Sequence, residues 1–420
     1  MLNINAFLLL ALLSAVKNYG NHWKVDTALK DKISTMSDES VPVIILSKSL
    51  NGSSIEQFIK EHKGKLKYRL PIINGYAVEL RCNCLMPMAN IKEVEYICED
   101  SKISSFMDIA RKTVGAHNFG NNKYTGSNVV VAILDTGVYP HPDLTKPKNR
   151  IIYFKDFVNN KKFPYDDNGH GTHVAGTVAG NGTMSKGKYN GIAPEAKIIG
   201  IKVLDSNGSG NASDILAGMQ WVLDNKDKYN IRIVSLSLGS KPNKAATMDP
   251  LIRGVNALWD NNLVVVAAAG NSGPKRSTIA SPGISPKIIT VGASDDMRTI
   301  EPFDDSIADF SSRGPVGCCG KKPDLVAPGV NIVSTATDKK YGGDKNGPDG
   351  ANMPKPYRTM SGTSVSTPIV SGCIALILEK YPSLTPNDIK KLLKKSTINL
   401  NKSEYVQGKG LISLKKLNGQ

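Results

Sequence analysis

The chain has 420 residues, of which 40% are hydrophobic and 21% are charged. This composition is typical of a soluble globular protein of two or three domains, and it excludes a collagen, a coiled coil and a wholly disordered chain. The formal net charge is +16, but the lysines are spread along the chain and only 6% of the residues are aromatic, so there is no platform on which bases could stack. We therefore expect no nucleic-acid partner.

Residues 6–16 form an apolar run at the start of the chain. A membrane-spanning helix needs about 20 apolar residues, so this run is too short to cross a bilayer and is typical of the core of a secretory signal peptide. We predict a signal peptide over residues 1–20, cut after Ala15 or Gly20, and the alternative is a buried N-terminal helix. Because no longer apolar run follows, we expect an exported protein that does not span the membrane, either released or kept at a cell surface.

The segment 39–104 has the pattern of a small α+β domain. Its strand-like runs are 41–46, 68–73, 77–80 and 94–98, and its helical segments are 53–64 and 88–92. Asn74 and Gly75 separate the second and third strands and predict a hairpin there. The resulting order, βαββαβ, is that of a ferredoxin-like fold of about 65 residues.

From about Arg111 onward, strands alternate with helical segments. Near-continuous apolar runs predict strands buried on both faces at 129–134, 198–204, 231–238, 263–268 and 288–291. Helical segments at 213–227 and 249–261 lie between them. The alternation predicts an α/β fold, an open and mostly parallel sheet with helices on both faces. In such sheets, functional residues collect at the carboxyl ends of the strands.

The first of these strands is followed by Asp135, Thr136 and Gly137. A carboxylate at a strand end occurs in catalytic, phosphate-binding and metal sites and also as a helix cap, so the tripeptide alone decides nothing. Aspartic proteases carry the same three residues, but they need a second, paired carboxylate in a β-rich chain. This sequence has no second copy of the tripeptide.

Two histidines, His170 and His173, lie three residues apart among small residues. This pattern indicates the first turn of a helix that another backbone or a substrate approaches closely. The HExxH zinc motif places its histidines four residues apart with a glutamate between them, and the segment has neither feature. An imidazole that acts as a general base therefore fits the segment better than a metal ligand.

Ser364 precedes a long apolar segment, and Asn271 follows a predicted buried strand. A serine in the first turn of a helix lies near unpaired N–H groups and the positive end of the helix dipole, which favour a partly anionic oxygen. Its alternative role is an N-cap. The amide of Asn271 could donate to an oxyanion or form a turn. Ser361, Thr363 and Ser366 are expected only to satisfy donors at the helix end.

These residues stand in four segments, VVVAILDTGV, HGTHVAGTVAG, VVVAAAGNSGP and SGTSVSTPIVSG. The chain order Asp, His, Ser differs from that of chymotrypsin-like proteases and of α/β-hydrolases, and the serine segment lacks the GxSxG elbow. With NGIAP at 190–194 and KPDLVAPG at 322–329, the segments resemble those of the subtilisin-like serine proteases, the subtilases of peptidase family S8. The resemblance covers residues 124–414.

The resemblance implies a serine endopeptidase that works through an acyl-enzyme intermediate and needs no cofactor for catalysis. It assigns Ser364 as the nucleophile, His170 as the general base, Asp135 as the carboxylate that orients the imidazole, and Asn271 as the oxyanion donor. Serine needs such a base because its hydroxyl is a poor nucleophile at neutral pH. A catalytically silent homologue is the alternative reading, which a missing triad residue would favour, but none is missing.

Subtilases bind protein or peptide substrates as an added strand along exposed backbone edges. The resemblance places these edges at two segments that each follow a predicted strand, namely Ser237, Leu238 and Gly239, and Gly208, Ser209 and Gly210. Glycine-containing turns without a substrate role are the alternative.

Residues 39–106 resemble the inhibitory propeptide of this family, which assists folding and leaves its C-terminal tail in the cleft. The chain is therefore expected to bind its own propeptide as a zymogen and to cut itself between Phe106 and Met107. Residues 107–420 would then form the catalytic domain. A phenylalanine before the cut implies a first pocket that accepts a large apolar side chain. The mature enzyme is expected to be a monomer.

The family's principal calcium-binding loop is replaced here by residues 181–190, which carry two lysines and no carboxylate. Asp143 still matches a family calcium ligand, and Asp108 could join it, although calcium takes six to eight oxygens. Structural calcium at these two carboxylates is the only metal that the resemblance implies.

The six cysteines form two groups of three, Cys82, Cys84 and Cys98 before the expected cut and Cys318, Cys319 and Cys373 after it. An odd number on each side argues against a disulfide framework, and adjacent cysteines would need a strained ring. The first group lacks the CxxC pairs of a zinc site, so ordinary packing is its expected role.

Overall fold

The computed structural model describes residues 21–26, 29, 30, 33, 39–49, 53–100, 107–240, 249–316, 320–345 and 353–417. The expected signal peptide (1–20), Phe106, Cys318 and Cys319 lie outside the described residues, as do the side chains of Met107 and Asp108. The chain divides into two compact units, Met1–Ile103 and Ser104–Gln420.

The first unit contains an antiparallel sheet of four strands and two helices in its described part. The elements are β1 (Ser40–Ser47), α1 (Ser53–Glu61), β2 (Lys65–Leu70), β3 (Gly75–Arg81), α2 (Leu85–Ala89) and β4 (Val94–Glu99). The strand order in the sheet is β2-β3-β1-β4. Along the chain, the elements follow the βαββαβ order expected from the sequence.

Two details of this unit differ from the expected pattern. β1 buries only every second residue, among them Val43 and Ile45, because one face of the sheet covers the core. β2 ends before Pro71, which begins a short turn, since proline has no N–H to give to a strand ladder. Asn74 then adopts a left-handed φ of 49° at the expected hairpin. Cys82 and Cys84 are buried and free, in keeping with a packing role.

The second unit is built on a sheet of ten strands, counted over the described residues. These are β5 (Val130–Asp135), β6 (Ile151–Asp156), β7 (Lys197–Lys202), β8 (Ile231–Leu236), β9 (Val264–Ala268), β10 (Ile289–Asp295), β11 (Ser306–Ile307), β12 (Leu325–Pro328), β15 (Thr397–Ile398) and β16 (Leu411–Ile412). The order is β15-β16-β12-β10-β9-β8-β5-β7-β6, with β11 beside β10. All neighbours from β6 to β16 are parallel. A separate hairpin joins β13 (Ile332–Thr335) to β14 (Tyr357–Met360).

The helices of this unit are α3 (Met107–Thr113), α4 (Pro142–Thr145), α5 (His170–Ala179), α6 (Ala212–Tyr229), α7 (Pro250–Asp260), α8 (Thr363–Lys380), α9 (Pro386–Lys395) and α10 (Glu404–Gln407). Every residue of β5 and β9 is buried, so both faces of the sheet are covered at its centre. The expected α/β fold with a mostly parallel sheet is confirmed. None of the helices in the described ranges combines the length and the apolar character that crossing a bilayer requires.

The edge of the sheet contains a strand that the sequence did not predict. β6 pairs only with β7 among the described strands and leaves Ile152 and Tyr153 exposed. It contains the apolar run IIYF, but it lacks the continuous burial of the central strands. The centre of the sheet, by contrast, places β9, β8, β5 and β7 side by side. Residues that follow these four parallel strands therefore meet at one edge.

Candidate active site

Asp135 and His170 form a hydrogen-bonded pair at the carboxyl end of β5. His170 Nδ1 lies 2.7 Å from Asp135 Oδ1, and the N–H of Thr136 donates to the same oxygen at 2.8 Å. The side chain of Asp135 is fully buried, whereas that of His170 is 19% exposed. The carboxylate therefore fixes one ring nitrogen of an imidazole that solvent or a substrate can still reach.

The surroundings of His170 favour its protonated form. Burial alone would lower the pKa of the imidazole, but the negative charge of Asp135 and the hydrogen bond to it outweigh burial, and the pKa is raised above its ordinary value. A stronger base accepts a proton more readily from a nearby hydroxyl group.

A second buried carboxylate, Asp166, organises the first turn of α5. Its Oδ1 accepts from the N–H of Gly169 at 2.8 Å and from the hydroxyl of Thr136 at 2.9 Å. Its Oδ2 accepts from the N–H and the hydroxyl of Thr172 at 2.8 Å and 2.7 Å. Asp166 thus joins the turn after β5 to the start of α5 and positions His170. Sequence reasoning did not identify it, although a carboxylate close before a helix start is a common N-terminal signal.

Close packing explains the small residues beside His170. A Cβ atom on Gly171 would lie 2.1 Å from the carbonyl oxygen of Gly137. His173 is fully buried, and its Nε2 lies 3.0 Å from the carbonyl oxygen of Ile332. Burial lowers the pKa of His173 to about 3, so this second imidazole stays neutral and helps to hold α5 against β13.

Ser364 and Asn271 lie on the two sides of Gly362. A Cβ atom on Gly362, whose φ is 154°, would lie 3.1 Å from Ser364 Oγ and 3.2 Å from Asn271 Nδ2. A side chain at this position would therefore fill the space between the hydroxyl and the amide. Ser364 is the second residue of α8, as expected for a serine in the first turn of a buried helix.

Thr363 fixes the orientation of Asn271. The N–H and the hydroxyl of Thr363 donate to Asn271 Oδ1 at 2.9 Å and 3.0 Å, and the Thr363 hydroxyl accepts from the N–H of Gly270 at 3.0 Å. With Oδ1 held in this way, the NH₂ group of Asn271 points away from Thr363 and is available as a donor. Sequence reasoning assigned Thr363 only to the helix end, because its partner lies 92 residues away.

Lys202 is a further residue that sequence reasoning missed. It is fully buried at the end of β7, and its Nζ donates to the carbonyl oxygens of Thr136 and Leu204 at 2.6 Å and 2.8 Å. It also pairs with Asp167 at 2.7 Å. The ammonium group therefore ties together the chain segments that leave β5 and β7.

Two grooves of about 500 Å³ and about 520 Å³ meet at this edge of the sheet. The first is lined by His170 and by all six residues expected to bind substrate, Gly208, Ser209, Gly210, Ser237, Leu238 and Gly239. The second is lined by Ser364 and Asn271 and shares Ser237, Leu238 and Gly239 with the first. The structure thus brings His170, Ser364, Asn271 and all six substrate-binding candidates to one continuous surface, with Asp135 buried behind His170.

The walls of the two grooves differ in chemistry. The first has apolar side chains, including Leu204, Ile215 and Leu251. The second is lined by small, uncharged residues, including Ser277, Thr278 and Ala280. No Asp, Glu, Lys or Arg side chain of the described residues lines the second groove.

The donors around Asp143 do not fit calcium. Its carboxylate accepts from the N–H of Met184 at 2.8 Å and from the hydroxyl of Tyr357 at 2.7 Å, and its backbone carbonyl accepts from the guanidinium of Arg150. Arg150 also donates to the carbonyl of Ala179, so a fixed cation already takes two oxygens of this region. The described residues contain no group of three or more His, Cys, Asp or Glu that could hold a metal. The expectation of calcium at Asp143 and Asp108 finds no support in the described donors.

Comparisons with known proteins agree with this arrangement. The subtilase family, Peptidase S8, matches residues 126–410. Serine protease AprX of Bacillus subtilis (strain 168) is 45% identical over 350 residues, which are 80% of this chain and 77% of the relative. Subtilisin E of the same organism is 32% identical over 374 residues, which are 87% and 86% of the two chains. The solved structure of sphericase has a TM-score of 0.59 and 31% identity, and the match covers 74% of this chain and 99% of that one. The chain therefore belongs to the subtilase family of serine endopeptidases.

Proposed function

We propose that Asp135, His170 and Ser364 are the catalytic triad of this serine endopeptidase and that Asn271 is its oxyanion donor. The hydrogen bond of 2.7 Å between His170 Nδ1 and Asp135 Oδ1 is the observation that carries the assignment. It fixes the proton on Nδ1 and leaves Nε2 of the same ring free to accept one. Among the described residues, the Ser364 hydroxyl forms no hydrogen bond, so no group there competes with His170 for it.

In the proposed reaction, Ser364 Oγ attacks the carbonyl carbon of the peptide bond while His170 Nε2 takes the hydroxyl proton. The carbonyl oxygen becomes an oxyanion and accepts a hydrogen bond from Asn271 Nδ2. The C–N bond then breaks, and His170 gives its proton to the leaving amine. Water attacks the resulting ester as His170 takes one of its protons, and the C–O bond to Ser364 breaks as the serine recovers its proton.

Substrate is proposed to bind as an extended strand between the segments Gly208–Gly210 and Ser237–Gly239. The groove beside Ser364 would take the side chain before the cleaved bond, and its uncharged walls favour a large, neutral side chain. The apolar walls of the other groove, which borders His170, favour an aliphatic or aromatic side chain farther from the bond. Protein and peptide chains that carry such residues are the proposed substrates.

The first unit is proposed to be an inhibitory propeptide, residues 39–106, removed by cleavage between Phe106 and Met107 to leave 107–420 as the catalytic domain. The division of the chain into two compact units at 103 and 104 supports this proposal. Wild-type protein should yield a mature N-terminus at Met107, whereas Ser364→Ala should accumulate as the precursor. Cleavage of the Ser364→Ala precursor at the same rate would contradict self-processing.

Export through a signal peptide over residues 1–20, and action as a monomer outside the cell, complete the proposal. The apolar run at 6–16 supports export. N-terminal sequencing of the precursor from the culture medium and from the cells tests it. A precursor that stays in the cytoplasm with residues 1–20 attached would contradict it.

A fluorophosphonate that modifies activated serines tests the catalytic assignment. We expect one adduct per processed molecule, on Ser364, and none on Ser364→Ala. Ser366→Ala is the matched control, because Ser366 is a buried serine of the same helix whose hydroxyl has no hydrogen-bond partner among the described residues. An adduct on Ser364→Ala would show that another residue is the nucleophile. A wild-type protein without any adduct would favour the catalytically silent alternative.

A further inference from the structure

A groove larger than either substrate groove lies apart from both. It has a volume of about 970 Å³ and shares no lining residue with them. We call it the edge groove, because all of residues 151–155 of the edge strand β6 line it. Residues 160–164 also line it, and this segment leads to Asp166 and so to the start of the helix that carries His170.

Among the described strands, the backbone of β6 is unpaired on its outer side, with a register irregularity between Ile151 and Tyr153. β6 is the last strand of the sheet, and its only ladder partner among the described strands is β7. The outer side of an edge strand carries a row of N–H and C=O groups that lack ladder partners, which makes it a template for another extended chain. The edge groove gives such a chain space along residues 151–155.

The edge groove is strongly cationic. Its lysines are Lys146, Lys155, Lys161, Lys162 and Lys345, against one carboxylate, Asp344. None of the five lysines forms an ion pair within the described part of the chain; Lys161, for example, donates instead to the carbonyl of Gly342 at 3.1 Å. The five charges therefore remain to be balanced by a ligand or by solvent ions.

Apolar side chains also line the edge groove. Tyr153 and Phe163 are each 38% exposed there, and Ile152 is 36% exposed. A chain that is added to an edge strand places alternate side chains on opposite faces. A peptide that carries both acidic and apolar side chains would therefore meet partners of both kinds in the groove.

We propose that the edge groove is an exosite that binds an extended, acidic segment of a protein substrate as an additional strand on β6. This proposal rests on the proposed endopeptidase function in one respect. The ligand of the edge groove is a second segment of the same substrate chain that the catalytic site cuts. The acidic side chains would pair with the lysines, and the peptide backbone would pair with β6. Binding there would raise the local concentration of the scissile segment at the catalytic site.

A binding experiment without turnover tests this proposal directly. Active protein is blocked at its serine with phenylmethanesulfonyl fluoride and titrated with a fluorescent peptide of about ten residues, the length of a long strand, in which Glu and Val alternate. Two matched peptides serve as controls: one has Gln in place of Glu, and the other keeps Glu but has alternate backbone nitrogens methylated. We expect each control to bind roughly tenfold more weakly, because one lacks the charges and the other lacks N–H donors.

The N-methylated peptide decides between two kinds of recognition. If it binds as well as its unmethylated parent, strand addition is overturned and the edge groove attracts any polyanion. If the Gln peptide binds as well as the Glu peptide, the role of the lysines is overturned. Since no peptide is cleaved, these outcomes do not depend on the catalytic assignment.

Matched variants then locate the binding site. Lys155→Gln with Lys162→Gln should weaken binding of the Glu peptide about fivefold and make the binding less dependent on salt. Lys391→Gln with Lys395→Gln removes the same charge from exposed lysines on α9 and should change binding less than about twofold. Equal losses of affinity in the two double variants would show that binding depends only on the net charge of the protein. This result would overturn the exosite.

The same variants link binding to catalysis. An acidic extension joined to a cleavable peptide should lower KM for the wild type and leave kcat unchanged, and the groove variant should lose this gain. A short, neutral peptide should be cut equally by the wild type and both double variants. Loss of cleavage of the short peptide in every protein would count against the proposed function, whereas loss of the KM gain alone concerns the exosite.

Discussion

Asp135 and Asp324 are two buried carboxylates beside strands of the same sheet, but their surroundings differ. Asp324 pairs with Lys322 at 2.6 Å, Lys394 at 2.8 Å and Lys390 at 3.2 Å. Asp135 has one imidazole and one N–H as partners, and its Oδ2 has no partner in the described part of the chain. Asp324 is thus saturated with fixed cations, whereas Asp135 holds a group that can gain and lose a proton at the border of a groove.

Electrostatics separate the two sites in the same way. Burial opposes ionisation of Asp324, but the charges of Lys322, Lys390 and Lys394 outweigh burial and hold the pKa of this carboxyl below its ordinary value. At the other site, the shift that matters is that of the imidazole, whose pKa Asp135 raises against the effect of burial. A buried carboxylate can therefore serve stability or catalysis. Which of the two it serves depends on whether its partner can gain and lose a proton and on whether that partner borders a groove.

The largest expected effect is on catalysis. Asp135→Asn should lower kcat/KM about 10⁴-fold, because an amide neither holds the correct tautomer of His170 nor stabilises the imidazolium. The free energy of unfolding should change little, since the amide retains the size of the carboxylate. Peptide hydrolysis and urea unfolding of the same preparation measure the two effects. A large loss of stability alongside the loss of activity would show that Asp135, like Asp324, mainly stabilises the fold.

The reverse pattern is expected for Asp324→Asn. This change should lower the free energy of unfolding by about 3–5 kcal/mol, because it leaves buried lysines without their counter-charge. Activity per folded molecule should stay at the wild-type level. Lys394→Ala is a milder control, since Lys394 is 35% exposed and its pair should contribute less than about 1 kcal/mol.

The pH dependence of this effect has a definite sign. Because the pKa of Asp324 is lowered in the folded protein, its contribution to stability is present above the unfolded pKa of about 3.9 and is lost as pH falls through the folded pKa. The difference in unfolding free energy between wild type and Asp324→Asn should therefore persist through weakly acidic pH and shrink only in strong acid. A difference that vanished already at neutral pH would contradict the ion-pair account.

A third buried carboxylate, Asp143, sharpens the comparison. Burial raises the pKa of Tyr357, so its hydroxyl remains a donor to Asp143, and Arg150 takes the carbonyl of the same residue. Arg150→Met should lower the free energy of unfolding by about 1–3 kcal/mol, because the buried carbonyl of Ala179 loses its donor, whereas that of Asp143 keeps the N–H of Asn181 at 3.1 Å. EDTA should leave the melting temperature of the wild type unchanged. A clear fall in that temperature on chelation, restored by calcium, would show that a cation binds the protein after all.

The smallest expected effect is that of a substitution at Thr363, which acts through Asn271. Thr363→Val removes the hydroxyl that orients Asn271 and should lower kcat about tenfold with little change in KM, because the oxyanion forms only in the transition state. Adding Asn271→Ala to this variant should cost less than Asn271→Ala costs in the wild type. Full additivity of the two changes in a double-mutant cycle would mean that Thr363 acts independently of Asn271.

The sequence predicted those features that depend on neighbours along the chain. Continuous apolar runs indicated the central strands, and the residues after two of them indicated Asp135 and Asn271. His170 and Ser364 were indicated by the small residues and the apolar segment of the helices in whose first turns they lie, together with the resemblance to the subtilases. β6 was not predicted although it begins with the apolar residues IIYF; charged residues flank this run, and the edge position leaves two of its residues exposed. Thr363 and Lys202 were missed because their partners lie 92 and 66 residues away, and no local pattern records such contacts.

The rate at which phenylmethanesulfonyl fluoride modifies Ser364, followed across pH, tests the central claim most directly, because it reports the base that activates the serine without any step of substrate binding or product release. For the wild type, we predict a rate that rises with pH as His170 loses its proton, with a midpoint above the ordinary pKa of histidine, about 6.5. In Asp135→Asn, the midpoint should move to lower pH, because burial of the imidazole is then no longer offset, and the rate should fall at every pH. A midpoint that is the same in both proteins would contradict the account.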